Sequence, residues 1–589
     1  MCGILGIVSK GAPLDLERCE QALGLLRHRG PDGSRRLVIG ETVFLGHTLL
    51  SIVDEPARSY QPFQSQDGTK MLFFNGEIYN YKELRQQFLM DRPLQTSTDT
   101  EVLVELHASR DPRDVFGRLD GMFAYVVYDS VTSSLYIARD LIGEKSLYAF
   151  EDEALFVLCS EIPPILALVG ERTRVDREAL SAYFLTRHWI STPETCFARI
   201  REVPAGSVLK YELLAGRLST LLQASIHDLV RDEMYRELRR CRVEELRERL
   251  VWLLEATAAQ MVPVGREFAS IVSGGIDSAV VTRSIARHRR PDTLVCLRHR
   301  GKESLAFSLG PFEAMLGRRV VTVDSSVEEY ASRIRPCIRH AGAPLHTHSF
   351  VSLAIVAEAM HTRSIRVLFG GDGGDEVFGG YRSYVSDLRA ARDGETCPSV
   401  YSSIRDEYRR IFGVANLAFE EKVGAWWKQS VQTYEFVSED HERLGNAMLL
   451  NDTAHELPPV SLRQADLMGM MHSVEVRSLL VRKGVLEFGL NLPLAMKLNL
   501  GGVVPGHMTK VLLSEVARSL YGDWILKAKE GFSGYPNESC SWLGDVSKYL
   551  VFDVMGIRRD VWDRYADRRD VIWKLVNTEW FLREFESFL

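Results

Sequence analysis

A chain of 589 residues is too long for one hydrophobic core, so two or more domains are expected. Its 46% hydrophobic and 26% charged residues suit an ordinary globular protein, and a formal charge of −7 offers no basic excess to meet nucleic-acid phosphates. Nine cysteines without CxxC pairs argue against a disulfide framework or a zinc site, and no apolar run approaches the roughly 20 residues that cross a bilayer.

The chain begins Met1-Cys2-Gly3-Ile4, and the apolar run 4–8 reads as a buried strand. It has no basic leader and is no signal peptide, so a cytoplasmic location with reduced thiols, no membrane partner and no nucleic-acid partner is expected. If Met1 is removed, Cys2 carries a thiol and a free α-amine on one residue, which pairs a nucleophile with a base. Helical periodicity covers residues 16–26 and 101–107. Short apolar runs at 43–45, 71–74, 123–128 and 134–138, set between Gly, Asp and Pro turns, read as strands. The mixture predicts a layered α+β domain. At Val203-Pro204-Ala205-Gly206 the pattern changes, and the Arg/Glu-rich stretch 226–248 has helical propensity. The expected division is a domain over 2–206, a linker over 207–240 and a second domain over 241–589. There, strand-like runs at 268–272, 320–323 and 367–369 alternate with long helical patterns, which predicts an α/β domain whose parallel sheet is covered on both faces. Residues 394–416 read as an insertion.

Two glycine-rich loops in the second half carry chemistry. Ser273-Gly274-Gly275-Ile276-Asp277-Ser278 follows Val272 at a strand end and opens a helix. Glycines admit a ligand close to the backbone, and the helix N-terminus offers unpaired N–H groups, so the loop is a nest for pyrophosphate. Gly370-Gly371-Asp372-Gly373-Gly374-Asp375-Glu376 also follows a strand. Its carboxylates would repel phosphate unless Mg²⁺ bridged them, and Asp277 with Asp375 are the candidate metal ligands. The spacing is not that of an EF-hand.

Together with Phe378-Gly379-Gly380-Tyr381 and Ser473-Val474-Glu475-Val476-Arg477, these loops resemble the synthetase half of the asparagine synthetase B family, over about residues 242–542. The resemblance implies an ATP-pyrophosphatase fold, ATP and Mg²⁺ as cofactors, and activation of a carboxylate as acyl-adenylate that ammonia attacks. It places Val272, Ser273, Gly274, Gly275, Asp277, Ser278, Gly370 and Gly371 around ATP. Lys510 falls on the departing pyrophosphate, with Lys529 in Lys529-Glu530-Gly531-Phe532 as the second candidate. Asp372 falls beside the reacting carbonyl, where a carboxylate can take a proton from the attacking ammonium.

The first half resembles a class II glutamine amidotransferase through Met1-Cys2-Gly3-Ile4, His28-Arg29-Gly30-Pro31-Asp32, Asn75-Gly76-Glu77-Ile78-Tyr79-Asn80, Asp99 and Leu119-Asp120-Gly121-Met122-Phe123-Ala124. The resemblance implies an N-terminal-nucleophile αββα sandwich. Cys2 would attack the glutamine side-chain amide, Asn75 and Gly76 would donate to the oxyanion, and Asn75, Glu77 and Asp99 would bind glutamine. Leu49 stands where the family carries an arginine for the glutamine carboxylate, and Arg58 is a candidate replacement. On the acceptor side His348 corresponds to a family arginine, Ser478-Leu479-Leu480-Val481 replaces Pro-Phe-Leu-Asp, and the segment around Leu297-Arg298-His299-Arg300 is short and basic. The expected activity is glutamine-dependent amide formation on aspartate or another carboxylate. An intramolecular cyclase of the β-lactam synthetase or lasso type and a non-catalytic binding protein stand as alternatives. The residues leave open the acceptor, an ammonia tunnel and a homodimeric state.

Overall fold

The computed structural model describes residues 2–52, 59–186, 192–300, 306–392, 400–501, 508–526, 534–535 and 545–589. Arg58, Lys529 and the start of the 394–416 stretch lie outside them; residues Val400–Phe412 of that stretch form a helix.

The strands of the first half are β1 (Gly3–Ser9), β2 (Gly33–Ile39), β3 (Val43–Leu49), β4 (Phe63–Gln64), β5 (Lys70–Ile78), β6 (Gly121–Asp129), β7 (Ser134–Arg139), β8 (Tyr148–Glu151), β9 (Leu155–Cys159), β10 (Ile200–Glu202), β11 (Ser207–Glu212) and β12 (Arg217–Gln223). They make two antiparallel six-stranded sheets, ordered β10-β8-β9-β1-β3-β2 and β12-β11-β7-β6-β5-β4. Alternation decides what each face buries. On β1, Ile4 and Val8 meet Phe73, Val126 and Ile137 of the other sheet, while Leu5 and Ile7 face the helices Leu16–Gly24 and Ile162–Val169. On the second sheet, Leu72, Phe74 and Val127 turn away from the first and pack with Leu103, Leu106 and Phe116 of flanking helices. The result is the αββα sandwich.

The boundary expected at residue 206 needs correction. Pro204-Ala205-Gly206 is the turn that leads from β10 of the first sheet to β11 of the second: Gly206 adopts φ +71° and donates to the Asp140 carbonyl at 2.8 Å. Beyond it β11 pairs with β7 and β12, so the first domain's sheet continues to Gln223 and the connection is shorter than 207–240. The turn chemistry was visible in the sequence, but a loop between two sheets of one domain and a loop between domains share it.

The second domain has a parallel five-stranded sheet built from β13 (Phe268–Ile271), β14 (Thr293–His299), β15 (Val320–Ser325), β16 (Val367–Gly370) and β17 (Glu475–Ser478), in the order β15-β14-β13-β16-β17. Phe268, Leu294 and Phe369 bury one face beneath the helices Val243–Met261, Ile276–Ala286 and Val511–Tyr521. Ala269, Val295 and Leu368 bury the other beneath Val327–Ala341 and Ser349–His361. From β13 the chain steps outward to β14 and β15, then returns to β16 on the other side. The crevice between β13 and β16 is therefore the topological switch point, where open parallel sheets bind ligands at the strand C-termini. No helix among the described residues is long and apolar enough to cross a membrane.

Candidate functional site

Cys2 lies at the head of β1, 5% exposed, its chain end tied into the sheet rather than frayed. Its backbone N–H donates to Asn75 Oδ1 at 2.9 Å, and its carbonyl accepts from Arg29 Nε at 3.0 Å. The Asn75 Nδ2 group is buried with no hydrogen-bond partner among the described residues, so its two N–H donors are unspent there, next to the thiol's strand. Burial pushes the Cys2 thiol up from its ordinary value. Gly76 takes φ +154°, and a Cβ there would run into the Met122 carbonyl oxygen and come within 2.7 Å of Phe123 Cα, so only glycine lets β5 pass β6 at this point. Leu49, Ser51, Ser59, Gln61, Glu77 and Asp99 line a small cleft with Cys2, and none of its described lining residues is a cation.

Asp99 opens the helix Asp99–Ser109 and accepts from Ile78 N and Thr100 N at 2.9 Å each. Burial raises both Asp99 and Glu77 above the usual carboxylate range, and each further disfavours a second negative charge nearby. For Glu77 the Arg477 guanidinium of the second domain opposes this, at 3.1 Å.

At the switch point the two glycine loops press on each other. The Ser273 and Ser278 hydroxyls are 3.0 Å apart, Ser278 Oγ donates to the Gly275 carbonyl at 3.1 Å, and Gly275 caps the helix Ile276–Ala286. These bonds shape the loop that precedes a helix N-terminus, where unpaired N–H groups suit an anion. A Cβ on Gly371 would lie 3.0 Å from Asp277 Cβ and 3.1 Å from Ser278 N, so the second loop seats directly on the first. Asp277 and Asp375 converge on Lys510, whose Nζ is 2.5 Å from Asp277 Oδ2 and 2.7 Å from Asp375 Oδ1. Burial alone would lower the Lys510 ammonium, but the two carboxylates outweigh it and hold it well above an ordinary lysine. Asp372 accepts from Ser478 Oγ at 3.3 Å and is raised to about 6 by burial and by the charges of Asp277 and Asp375.

The structure thus brings together Cys2, Asn75, Gly76, Glu77 and Asp99 in one site, and Val272, Ser273, Gly274, Gly275, Asp277, Ser278, Gly370, Gly371, Asp372, Asp375 and Lys510 in another. His348 does not stand free as a charged contact: its ring packs on Trp573, with centroids 4.1 Å apart, and its carbonyl accepts from Tyr330 at 2.6 Å. Glycines crowd the acid pair so closely that a Cβ on Gly374 or Gly380 would strike Asp277 or Asp375, a cradle fitted to a cation and phosphates.

Motif reading left several residues of this arrangement without a place. Arg29, fully buried, donates to Glu161 Oε1 at 3.0 Å and to Asp466 Oδ1 and Oδ2 at 3.0 and 3.2 Å, joining the domains directly behind Cys2. Arg366 pairs with Asp32, and Arg482 with Glu144, along the same seam. The available signal was charge inside segments that otherwise read as core. Among the described residues, His28, Glu161 and His340 form a trio with ligand atoms within 4.8 Å of one another. Arg29 already occupies that carboxylate and the Leu467 carbonyl takes His340 Nε2 at 2.9 Å, so the trio belongs to the seam.

Comparison with known proteins finds a family for each half of the chain. A glutamine amidotransferase domain family matches residues 1–219, and the asparagine synthase family matches residues 245–569. The chain is 28% identical to asparagine synthetase [glutamine-hydrolyzing] 1 of Bacillus subtilis, across 98% of this chain and 97% of that protein. It is 27% identical to asparagine synthetase [glutamine-hydrolyzing] 2 of the same organism, across 72% of this chain and 58% of that one. Amidase chyE of Penicillium rubens is also 27% identical, across 64% of this chain and 57% of its own.

Proposed function

The chain belongs to the asparagine synthase family, with a glutamine amidotransferase domain ahead of the synthase domain, and from that premise we propose that it forms an amide on an ATP-activated carboxylate with nitrogen taken from glutamine. The observation that carries the reading is Asn75: its Oδ1 holds the Cys2 nitrogen, while its buried Nδ2 has no partner until a substrate oxyanion arrives.

At the first site, once Met1 is removed, the Cys2 thiol attacks the carboxamide carbon of glutamine and the α-amine of Cys2 takes the thiol proton. Asn75 Nδ2 and the Gly76 N–H receive the developing oxyanion. Ammonia leaves, and water releases glutamate from the thioester. Glu77 and Asp99 receive the glutamine ammonium, a role supported by their place in the cleft that Cys2 lines. Leu49 is apolar and buried, so the glutamine carboxylate is held without a clamp at that position.

At the second site the acceptor carboxylate attacks the α-phosphorus of ATP and pyrophosphate departs. The Ser273-to-Ser278 nest receives the phosphates. Asp277 and Asp375 would hold Mg²⁺, which would supply charge neutralisation for the phosphates, and Lys510, seated beside the acid pair, would offer its ammonium to the pyrophosphate. Ammonia displaces AMP from the acyl carbon, with Asp372 taking its proton. That role is supported by a carboxylate raised to about 6, poised near neutrality. We assign the acceptor to carboxylates other than free aspartate, because His348 packs against Trp573 instead of presenting a guanidinium, and Leu479, Leu480 and Val481 are buried apolar side chains.

The test is Cys2→Ala. It should abolish amide formation from glutamine and leave amide formation from ammonium salts intact; equal loss of both would overturn the two-site reading. The acceptor is sought by pyrophosphate release across a panel of carboxylates, and aspartate proving the best of them would overturn the acceptor assignment.

A further inference from the structure

Strand β17 is wholly buried, yet two of its four side chains, Glu475 and Arg477, are charged. Successive side chains alternate along a strand, so these two share one face. Each of the three guanidinium nitrogens of Arg477 makes a hydrogen bond. Nε donates to Glu475 Oε1 at 2.6 Å, one terminal nitrogen to the Met261 carbonyl, and the other to Glu77 Oε2 at 3.1 Å, across the domain boundary. Its guanidinium carbon lies 5.6 Å from the centroid of the Tyr79 ring, two residues beyond Glu77. The next residue, Ser478, donates to Asp372 at 3.3 Å. Both are locked in register against β16, Arg477 opposite Phe369 and Ser478 opposite Gly370.

Buried ion pairs of this kind are no cheaper for stability than well-packed apolar residues. A core strand that keeps one has a reason elsewhere. We propose that Arg477, although part of the synthetase sheet, is a positioning residue of the glutamine site: through Glu77 it completes that site, and through its backbone neighbour Ser478 it ties the site to Asp372. The inference rests on the glutaminase reading of Cys2. The planar fork fixes Glu77 Oε2, which aims the carboxylate and leaves Oε1 to accept from a ligand ammonium. Consecutive residues cannot shift independently, so a ligand that displaces Ser478 at the acceptor site moves Arg477 at the glutamine site.

Glutamate release is measured with and without MgATP for the wild type, Arg477→Gln, Arg477→Lys, Glu77→Gln and the Glu77→Gln/Arg477→Gln double variant, with thermal melting as the folding control. Arg477→Gln should raise the glutamine KM by about tenfold, the cost of a charged hydrogen bond, with kcat within about twofold. The double variant should be no worse than Glu77→Gln alone. MgATP should shift the wild-type KM and leave that of Arg477→Gln unmoved. If Arg477→Gln melts early, Arg477→Lys carries the test with the same KM-against-kcat split, since it keeps the charge and loses the fork. Additive losses in the double variant, or an unchanged KM, would overturn the positioning role; a wild-type KM indifferent to MgATP would overturn the tie to Asp372. A wild type that releases no glutamate overturns the glutaminase reading and this one with it, whereas an active wild type with an indifferent Arg477→Gln overturns this one alone.

Discussion

Glu77 and Asp99 are acids in a cleft that buries both, and their protonation decides how the cleft meets an ammonium. Asp99 is raised to about 6 and Glu77 to about 8, burial being the main cause in each. A carboxylate raised in the folded state prefers its proton there, so the stability it contributes is present at low pH and falls as pH rises through that window. Ligand binding runs the other way, because an ammonium needs the ionised acids. The glutamine KM should therefore fall as pH rises from about 6 to about 8, the window of those two shifts. A flat KM would remove both acids from ammonium recognition. The identities of Cys2, Asn75, Gly76, Glu77 and Asp99 were legible because each sits in a short motif with its own chemistry. Their electrostatics were not, since the opposing charge on Glu77 comes from Arg477, 400 residues along the chain.

Among the elements, strands with period-two alternation were readable, and β1, β3, β5, β6, β7, β13, β15 and β16 fall where apolar runs predicted them. β17 escaped because Glu475 and Arg477 break an apolar pattern, their charges being satisfied by each other and, for Arg477, by Glu77 across the domain boundary. β11 and β12 escaped because the glycine turn before them resembled a linker. The two loops at the switch point were readable as loops, but how tightly they nest was not. A Cβ on Gly374 would come within 2.6 Å of Asp277 Cγ and 3.1 Å of Leu480 Cδ1, so the carboxylate must give way. Gly374→Ala should therefore lower ATP–pyrophosphate exchange by about a hundredfold, the usual consequence of a misplaced reacting group. Glutamate release, housed in the other domain, should change little. Full exchange in the variant would mean that Asp277 can move without cost to the nucleotide site.

At the scale of the whole molecule the two domains share a buried apolar cluster. Leu5 and Ile7 of β1 belong to the same buried cluster as Ile338, Leu368 and Phe581 of the second domain. Apolar contact alone would hold the domains together with little preference for one register, and the polar seam supplies the register. Its centre is Arg29, which touches Glu161 beneath the first sheet, Asp466 of the helix Arg463–Met470, and the carbonyl of Cys2 itself. The nucleophile's backbone is thus braced by a side chain that the second domain holds in place. Asp466 also accepts from Ser146 N at 3.2 Å and lies 3.6 Å from the buried Lys145 ammonium, so its charge balances two cations of the first domain. Asp466→Asn keeps the shape and removes the charge, leaving the buried Arg29 and Lys145 with less opposing charge. Breaking one partner of a buried pair costs about 3–5 kcal/mol, and equilibrium unfolding should lose stability of that order. The same change loosens the brace on Cys2, so glutamate release per pyrophosphate formed should rise above the wild-type ratio as the sites lose their fixed relation. Stability lost with the ratio unchanged would mean that the seam only holds the domains together; the ratio changed at full stability would mean that its function is registration alone.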